Sequence, residues 1–133
     1  MKGIFYTSII ICLLLSAVGC KKKSAETNLN GTWELSSVNG GQVAGVSPNI
    51  ESGKGNLLKF SGQNYEKYIE GKLVSSGTFS LKKEAEVAVN KNKANYSILF
   101  GDEKLLVNLS AKQLIVFDGV IAADGFESIY KKQ

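Results

Sequence analysis

The side chains that most often perform catalysis or bind metals are scarce in this chain. None of its 133 residues is histidine, and its two cysteines are Cys12 and Cys20. Histidine is the usual general base at neutral pH and the commonest metal ligand in proteins. Serine–histidine, cysteine–histidine and zinc chemistry are therefore excluded, and we expect neither a metal nor another cofactor.

Carboxylates remain as candidates for acid–base chemistry. Four of them lie in or near predicted turns: Asp102, Glu103, Asp118 and Asp124. Acids in turns usually serve turn geometry and solubility. A glycoside hydrolase would need two carboxyl groups flanking one bond, and only a close pair in a deep cleft would favour that activity. We therefore predict that the chain is not an enzyme.

The chemistry that the sequence does support is lipid attachment at Cys20. Met1-Lys2 supplies a positive start, and the apolar run Ile4–Val18 is shorter than the ~20 residues of a membrane-spanning helix and ends in small residues. This pattern predicts a secretory signal peptide. The run Ala17-Val18-Gly19-Cys20 resembles the bacterial lipobox, in which a peptidase cleaves before a cysteine that carries diacylglycerol. The resemblance implies that residues 1–19 are removed and that Cys20 carries the lipid.

Two other interpretations of this segment stay open. Ala17-Val18-Gly19 could be an ordinary cleavage site that leaves Cys20 as a free thiol, although a lone thiol is a liability in an oxidising compartment. Alternatively, Cys12 could be the modified residue, but Ile11 before it is bulky. Cys12 is more simply an apolar residue of a discarded segment.

The residues after Cys20 predict a charged tether. Lys21–Asn28 is short, polar and without periodicity, so we expect a flexible lipidated tether at 20–28 and one domain at 29–133. Lys21–Lys23 account for the excess of lysine over acid after Gly19, and the chain has no arginine. We therefore expect no nucleic-acid partner. Because position 21 is not the aspartate that retains some lipoproteins on the inner membrane, we expect an outer-membrane site facing the periplasm.

From Asn30 onward, alternating apolar and polar residues predict strands. Turn residues separate roughly eight short strands, which favours an all-β antiparallel meander. Closure into a barrel would hide the edge strands, but a two-sheet sandwich has the same pattern. The stretch Glu84–Val89 fits either a strand or a short helix, Gly77 suggests a bulge or bend, and residues 40–55 form a long loop. The strands are expected at 31–38, 57–60, 64–70, 73–81, 95–100, 105–109, 114–117 and 126–130.

The strand Asn30-Gly31-Thr32-Trp33-Glu34-Leu35 resembles the opening of lipocalins. Leu57–Phe60, Ser76–Leu81 and Asp118-Gly119 follow in the order used by lipocalin-like domains of small bacterial lipoproteins, and the resemblance spans residues 29–132. It implies a small closed barrel in which Trp33 seals the floor. In lipocalins an arginine near the last strand packs on that tryptophan. This chain has none, so we expect Lys131 or apolar neighbours instead.

An eight-stranded barrel either fills with side chains or holds one small ligand. In the second case, we expect a small apolar ligand in the cell envelope. In the first, the domain is a protein-binding or structural envelope module, with loops 40–55 and 118–125 as its surface. The inward-facing residues that would line a pocket or form a core are Trp33, Leu35, Phe60, Tyr65, Ile69, Phe79, Tyr96, Ile98, Phe100 and Tyr130.

Overall fold

The computed structural model describes residues 25–40, 50–119, 121 and 124–133. The signal peptide, Cys20 and most of the long loop after the first strand lie outside the described residues. The elements are α1 (Ala25–Leu29), β1 (Gly31–Gly40), β2 (Leu57–Ser61), β3 (Asn64–Ile69), β4 (Lys72–Val89), β5 (Asn92–Phe100), β6 (Glu103–Leu109), β7 (Gln113–Asp118) and β8 (Phe126–Lys132). Helix α1 begins within the stretch expected to be a flexible tether.

No helix in the described part of the chain is long and apolar enough to cross a membrane.

The eight strands form one antiparallel meander that closes into a barrel. Each strand pairs with its neighbours in sequence, and β1 pairs with β8 to complete the ring. Along this closing seam, Gly40 lies opposite Phe126 and Trp33 lies opposite Lys132. The predicted all-β meander is therefore confirmed, and the sandwich alternative is wrong because no strand of the ring is left without a second neighbour.

Strand β4 is longer than the sequence pattern indicates. The stretch Glu84–Val89, which fitted a strand or a helix, continues β4 and pairs with β5. The register shifts between Lys83 and Val87, so β4 carries extra residues there and the hairpin can bend away from the barrel.

The bulge that the sequence suggested at Gly77 does not lie there. The irregularity between β3 and β4 lies between Lys67 and Tyr68, not at Gly77. Gly77 is directly opposite Tyr65, and a Cβ atom there would lie 3.3 Å from the tyrosine ring. The missing side chain makes room for that ring on the inner face of the sheet.

The barrel interior holds the main hydrophobic core. Apart from Leu29 of α1, its buried members lie on strands at positions whose side chains point into the barrel. They are Leu29, Trp33, Leu58, Phe60, Phe79, Ile98, Val107, Leu109, Leu114 and Tyr130.

A second, smaller core lies on the outer wall of the barrel. Ile115 and Phe117 alternate with the inward-facing Leu114 and Val116 and therefore face outward, yet both are buried. Val89 and Ala94, from the far end of the β4–β5 hairpin, pack against them. The hairpin thus folds over the outside of the last two strands.

Polar contacts attach the tip of this hairpin to β8. The Glu127 side chain is only 2% exposed, and its carboxylate accepts hydrogen bonds from the side-chain amides of Asn90 at 2.8 Å and Asn92 at 3.0 Å. The Asn90 side-chain oxygen accepts the backbone N–H of Ile121 at 3.0 Å. The hairpin consequently covers the part of the outer wall that contains Ile115, Phe117 and Glu127.

Candidate ligand-binding site

One end of the barrel is closed by α1 and the start of β1. Leu29 and Trp33 are completely buried there, and the indole N–H of Trp33 donates to the Leu29 carbonyl oxygen at 2.6 Å. The Lys132 ammonium lies 5.0 Å from the centroid of the Trp33 ring and donates to the Asn28 carbonyl oxygen at 2.7 Å. These contacts close the floor within the described part of the chain.

The basic residue beside Trp33 is Lys132 and not the expected Lys131. Trp33 and Lys132 are direct cross-strand partners, so their side chains share the inner face. Lys131 is paired with Glu34 and Gln113 instead and points to the outer face. The expected position was wrong by one residue, which in a strand reverses the face.

Aromatic rings fill the middle of the barrel. The Phe60 and Phe79 rings meet edge to face with centroids 5.0 Å apart, and Phe60 stacks on Phe100 at 6.3 Å. Ile98 and Val107 beside them are no more than 1% exposed. This part of the interior is core, as the filled-barrel interpretation expected.

Above these rings, at the end opposite the floor, a pocket of about 190 Å³ remains. We call it the mouth pocket. Apolar and aromatic residues from six strands form much of its wall, and polar residues complete it. Its lining residues are Leu58, Tyr65, Lys67, Ser75, Phe100, Glu103, Leu105, Val116, Asp118, Phe126, Ser128 and Tyr130.

Two tyrosines carry polar atoms into the mouth pocket. The Tyr65 hydroxyl and the Ser75 hydroxyl are hydrogen-bonded at 3.0 Å, and the Tyr65 ring lies 4.5 Å from that of Phe100. Burial raises the pKa of the Tyr130 phenol to about 12, and a hydrogen bond with Ser128 offsets part of that rise. The Tyr130 hydroxyl is therefore protonated at neutral pH and can donate a hydrogen bond.

The predicted lining residues divide between pocket and core. Tyr65, Phe100 and Tyr130 line the mouth pocket, and Leu35 lines an adjoining pocket of about 280 Å³ beside Tyr130. The other predicted residues pack in the core or against it, except one that is 47% exposed. The core residues are Trp33, Phe60, Phe79 and Ile98, Tyr96 packs against them, and the exposed residue is Ile69.

The predicted lining contained only apolar and aromatic side chains, so it did not include the polar residues of the mouth pocket. Lys67 is two residues after Tyr65, and Ser75 is two residues before Gly77, so strand alternation places both on the inner face. Glu103 and Asp118 were singled out only as turn acids. All four can be identified because each is an even number of residues from an inward-facing residue of its own strand, whatever the chemistry of its side chain.

The four turn acids are divided between the mouth pocket and other parts of the described structure. Glu103 and Asp118 both line the mouth pocket, but both are exposed, whereas an acid catalyst of a glycosidase is usually desolvated. Asp102 and Asp124 do not line it. Within the described ranges, no group of three potential metal ligands occurs.

A wider groove of about 510 Å³ lies outside the barrel, between the end of β4 and strands β6 and β7. Val87, Val89, Leu106 and Phe117 form its apolar wall, and Lys104 lies among its polar residues. This groove lies against the outer core, and none of the residues predicted to face inward lines it.

Comparisons with known proteins assign no family: no family model, no curated protein and no solved structure matches the chain.

Proposed function

We propose that this protein is a lipid-anchored protein of the bacterial cell envelope whose lipocalin-like barrel binds a small, mainly apolar ligand. The observation that carries the proposal is the mouth pocket, which combines an apolar wall with polar atoms at one open end of a closed barrel. Ligand sites of small molecules have this mixture of apolar walls and a few oriented polar groups.

The closed floor supports the lipocalin-like interpretation. The resemblance implies a first-strand tryptophan at the floor with a basic residue from the last strand against it. Trp33 and Lys132 have this relationship, with lysine in place of arginine. Both side chains are also tied to α1 through hydrogen bonds to the carbonyls of Leu29 and Asn28.

The position of α1 sets the orientation of an anchored barrel. A lipid on Cys20 lies at most about 18 Å along the chain from Ala25, because an extended residue advances no more than about 3.6 Å. Helix α1 packs at the floor. The floor would then face the membrane, and the mouth pocket would open toward the aqueous side of the envelope.

The pocket volume limits the size of the ligand. About 190 Å³ is below the 300–1,000 Å³ that is typical of pockets for drug-sized molecules. The ligand is accordingly a small molecule, with its apolar part between the rings of Phe100 and Tyr130.

Native mass spectrometry of the protein purified from its host envelope tests the proposal. We expect a co-purifying small molecule, and we expect Val116→Phe to lose it because the larger ring occupies the pocket. Gln113→Phe on the same strand is the matched control, since Gln113 is exposed on the outer face. Isoamyl alcohol, titrated into the emptied protein, should raise the melting temperature of the wild type and the control only. If no small molecule co-purifies with the wild type and isoamyl alcohol stabilises neither protein, the barrel is not a carrier of small apolar ligands.

A protein-binding role is the second candidate. Three apolar side chains are exposed at the end of the β3–β4 hairpin: Ile69 at 47%, Leu73 at 54% and Val74 at 51%. Such a patch is typical of interaction surfaces. If Ile69→Ser with Leu73→Ser abolishes crosslinks to other envelope proteins while ligand binding is absent, this role replaces the carrier role.

A further inference from the structure

The charged residues of the mouth pocket are divided between its two sides. Lys67 belongs to β3, whereas Glu103 and Asp118 belong to β6 and β7. In a closed ring of eight strands, β3 and β7 are four strands apart and therefore face each other across the opening. The pocket thus has a cationic side and an anionic side, with apolar residues between them.

The anionic side also carries aromatic rings. Glu103 is the direct cross-strand partner of Phe100, and Asp118 is the direct partner of Phe126. All four residues line the pocket. Carboxylates and aromatic faces both attract cations, and an ammonium group is stabilised more strongly when both are present.

The opposite side is suited to a carboxylate. Lys67 is paired with Leu58 on one side and with Ser75 on the other, and all three residues line the pocket. An ammonium with a neighbouring hydroxyl can donate hydrogen bonds to an anionic group.

These charges are available for a ligand. Among the residues that the structure describes, the ion pairs are Lys54–Glu51, Lys93–Glu86 and Lys104–Glu84, and none includes a charged group of the mouth pocket. A ligand with a single charge could pair with only one side of the pocket. The charged residues on the other side would repel that ligand or have no group to pair with.

From this arrangement we infer that the mouth pocket binds a small zwitterion with an apolar body, such as an α-amino acid with an aliphatic or aromatic side chain. Its ammonium group contacts Glu103 and Asp118, its carboxylate contacts Lys67, and its side chain enters the apolar part of the pocket. The inference rests on the proposed ligand-binding function and specifies the ligand class of the same site.

A matched set of four ligands tests the inference on the purified protein by isothermal titration calorimetry. L-leucine carries both charges, isoamylamine lacks the carboxylate, 4-methylpentanoate lacks the amine, and isoamyl alcohol has neither charge. We expect leucine to bind about tenfold more tightly than each of the others, which corresponds to about 1.4 kcal/mol. This advantage should decrease as salt is raised, because exposed charges are screened.

Charge-removing variants assign each half of the zwitterion. Lys67→Gln should abolish the difference in affinity between leucine and isoamylamine. The double variant Glu103→Gln with Asp118→Asn should abolish the difference in affinity between leucine and 4-methylpentanoate. Lys131→Gln, on the outer face, is the matched control and should change neither ratio.

The outcomes separate the ligand class from the carrier function. Equal binding of all four ligands, or binding of the alcohol alone, would overturn the zwitterion and leave the carrier function intact. If none of the four binds and none co-purifies, both proposals are wrong. A leucine preference that persists in Lys67→Gln would also overturn the assignment, since the carboxylate would then be held elsewhere.

Discussion

The ammonium group of Lys132 lies 5.0 Å from the centroid of the Trp33 ring, at the point where the last strand pairs with the first. The same ammonium donates to the Asn28 carbonyl oxygen at 2.7 Å, just before the buried Leu29. One lysine thereby links three parts of the floor: the end of α1, the indole and the closing seam. The floor depends on a cation–π contact that is stronger the less water reaches it.

Removal of this charge should destabilise the barrel. Lys132→Met keeps an unbranched apolar stem over Trp33 but loses the cation–π contact and the hydrogen bond to Asn28. We expect the free energy of unfolding to fall by about 1–2 kcal/mol. Urea titration followed by the fluorescence of Trp33, the only tryptophan, measures this change and reports the new environment of the indole.

Lys131→Met provides the control for the floor. Lys131 is exposed and points outward, so its replacement should change the free energy of unfolding by less than about 0.5 kcal/mol. Equal effects of the two substitutions would show that net charge, and not the contact with Trp33, determines the result.

The buried carboxylate of Glu127 should determine how firmly the β4–β5 hairpin is held against the outer wall. Glu127→Ala removes the acceptor of both the Asn90 and the Asn92 side-chain amides. We expect the free energy of unfolding to fall by about 2–3 kcal/mol, because hydrogen bonds to charged groups are among the stronger ones. Amide hydrogen exchange at Ala94, which packs in the outer core, should become at least tenfold faster.

The ion pair between Glu86 and Lys93 in the same hairpin is a useful comparison. Its nitrogen–oxygen distance is 3.1 Å, but both side chains are more than two-thirds exposed. Exposed ion pairs contribute little, so Glu86→Gln should leave exchange at Ala94 nearly unchanged. If Glu127→Ala also leaves it unchanged, apolar packing alone holds the hairpin.

Strand alternation in the sequence was sufficient to predict most of the barrel. Period-two patterns located β2, β3 and β6 to within two residues, because one face of each strand is buried in the ring. The pattern could not decide the fate of Glu84–Val89, since its only buried large side chain, Val89, is buried by contacts with distant residues of β7. A tertiary contact, not local propensity, makes that stretch a strand.

Strand alternation could not predict helix α1 or the function of the polar residues in the mouth pocket, for different reasons. Five helical residues are too short to be stable alone, and α1 is held by the contacts of Leu29 and Asn28 with Trp33 and Lys132. The inward position of Lys67 was readable from its phase with Tyr65. The function of Lys67 could not be predicted in this way, because the opposing charges of Glu103 and Asp118 come from strands far away in sequence.

Glu84 should contribute to a pH-dependent part of stability. Hydrogen bonds from the buried Ser97 hydroxyl and from Lys104 lower the pKa of the Glu84 carboxyl from its ordinary 4.5. A carboxyl with a lowered pKa in the folded state stabilises that state above its unfolded pKa, and this contribution disappears as the pH falls through the folded pKa. We expect Glu84→Gln to be less stable than the wild type at pH 7, with the difference disappearing in acid.

Urea titrations of both proteins at pH 7, 5 and 3 measure this effect. Glu66→Gln is the control, because Glu66 is exposed and its partner is the Tyr68 hydroxyl rather than a lysine. A difference between wild type and Glu84→Gln that stays constant over this range would mean that the carboxylate charge does not contribute, and that only the shape of the side chain matters.

The anchor is tested by the single sulfur atom of Cys20. In the native host, we expect radiolabelled palmitate on the wild-type protein and none on Cys20→Ser, because a serine cannot form the thioether. The variant should leave the membrane fraction yet retain the Trp33 fluorescence of the folded barrel, since the floor is built from Asn28 onward. Cys12→Ser should keep both the label and the membrane association. If Cys12→Ser loses the label instead, the lipid is on Cys12, and the limit of about 18 Å between the lipidated residue and Ala25 would no longer hold.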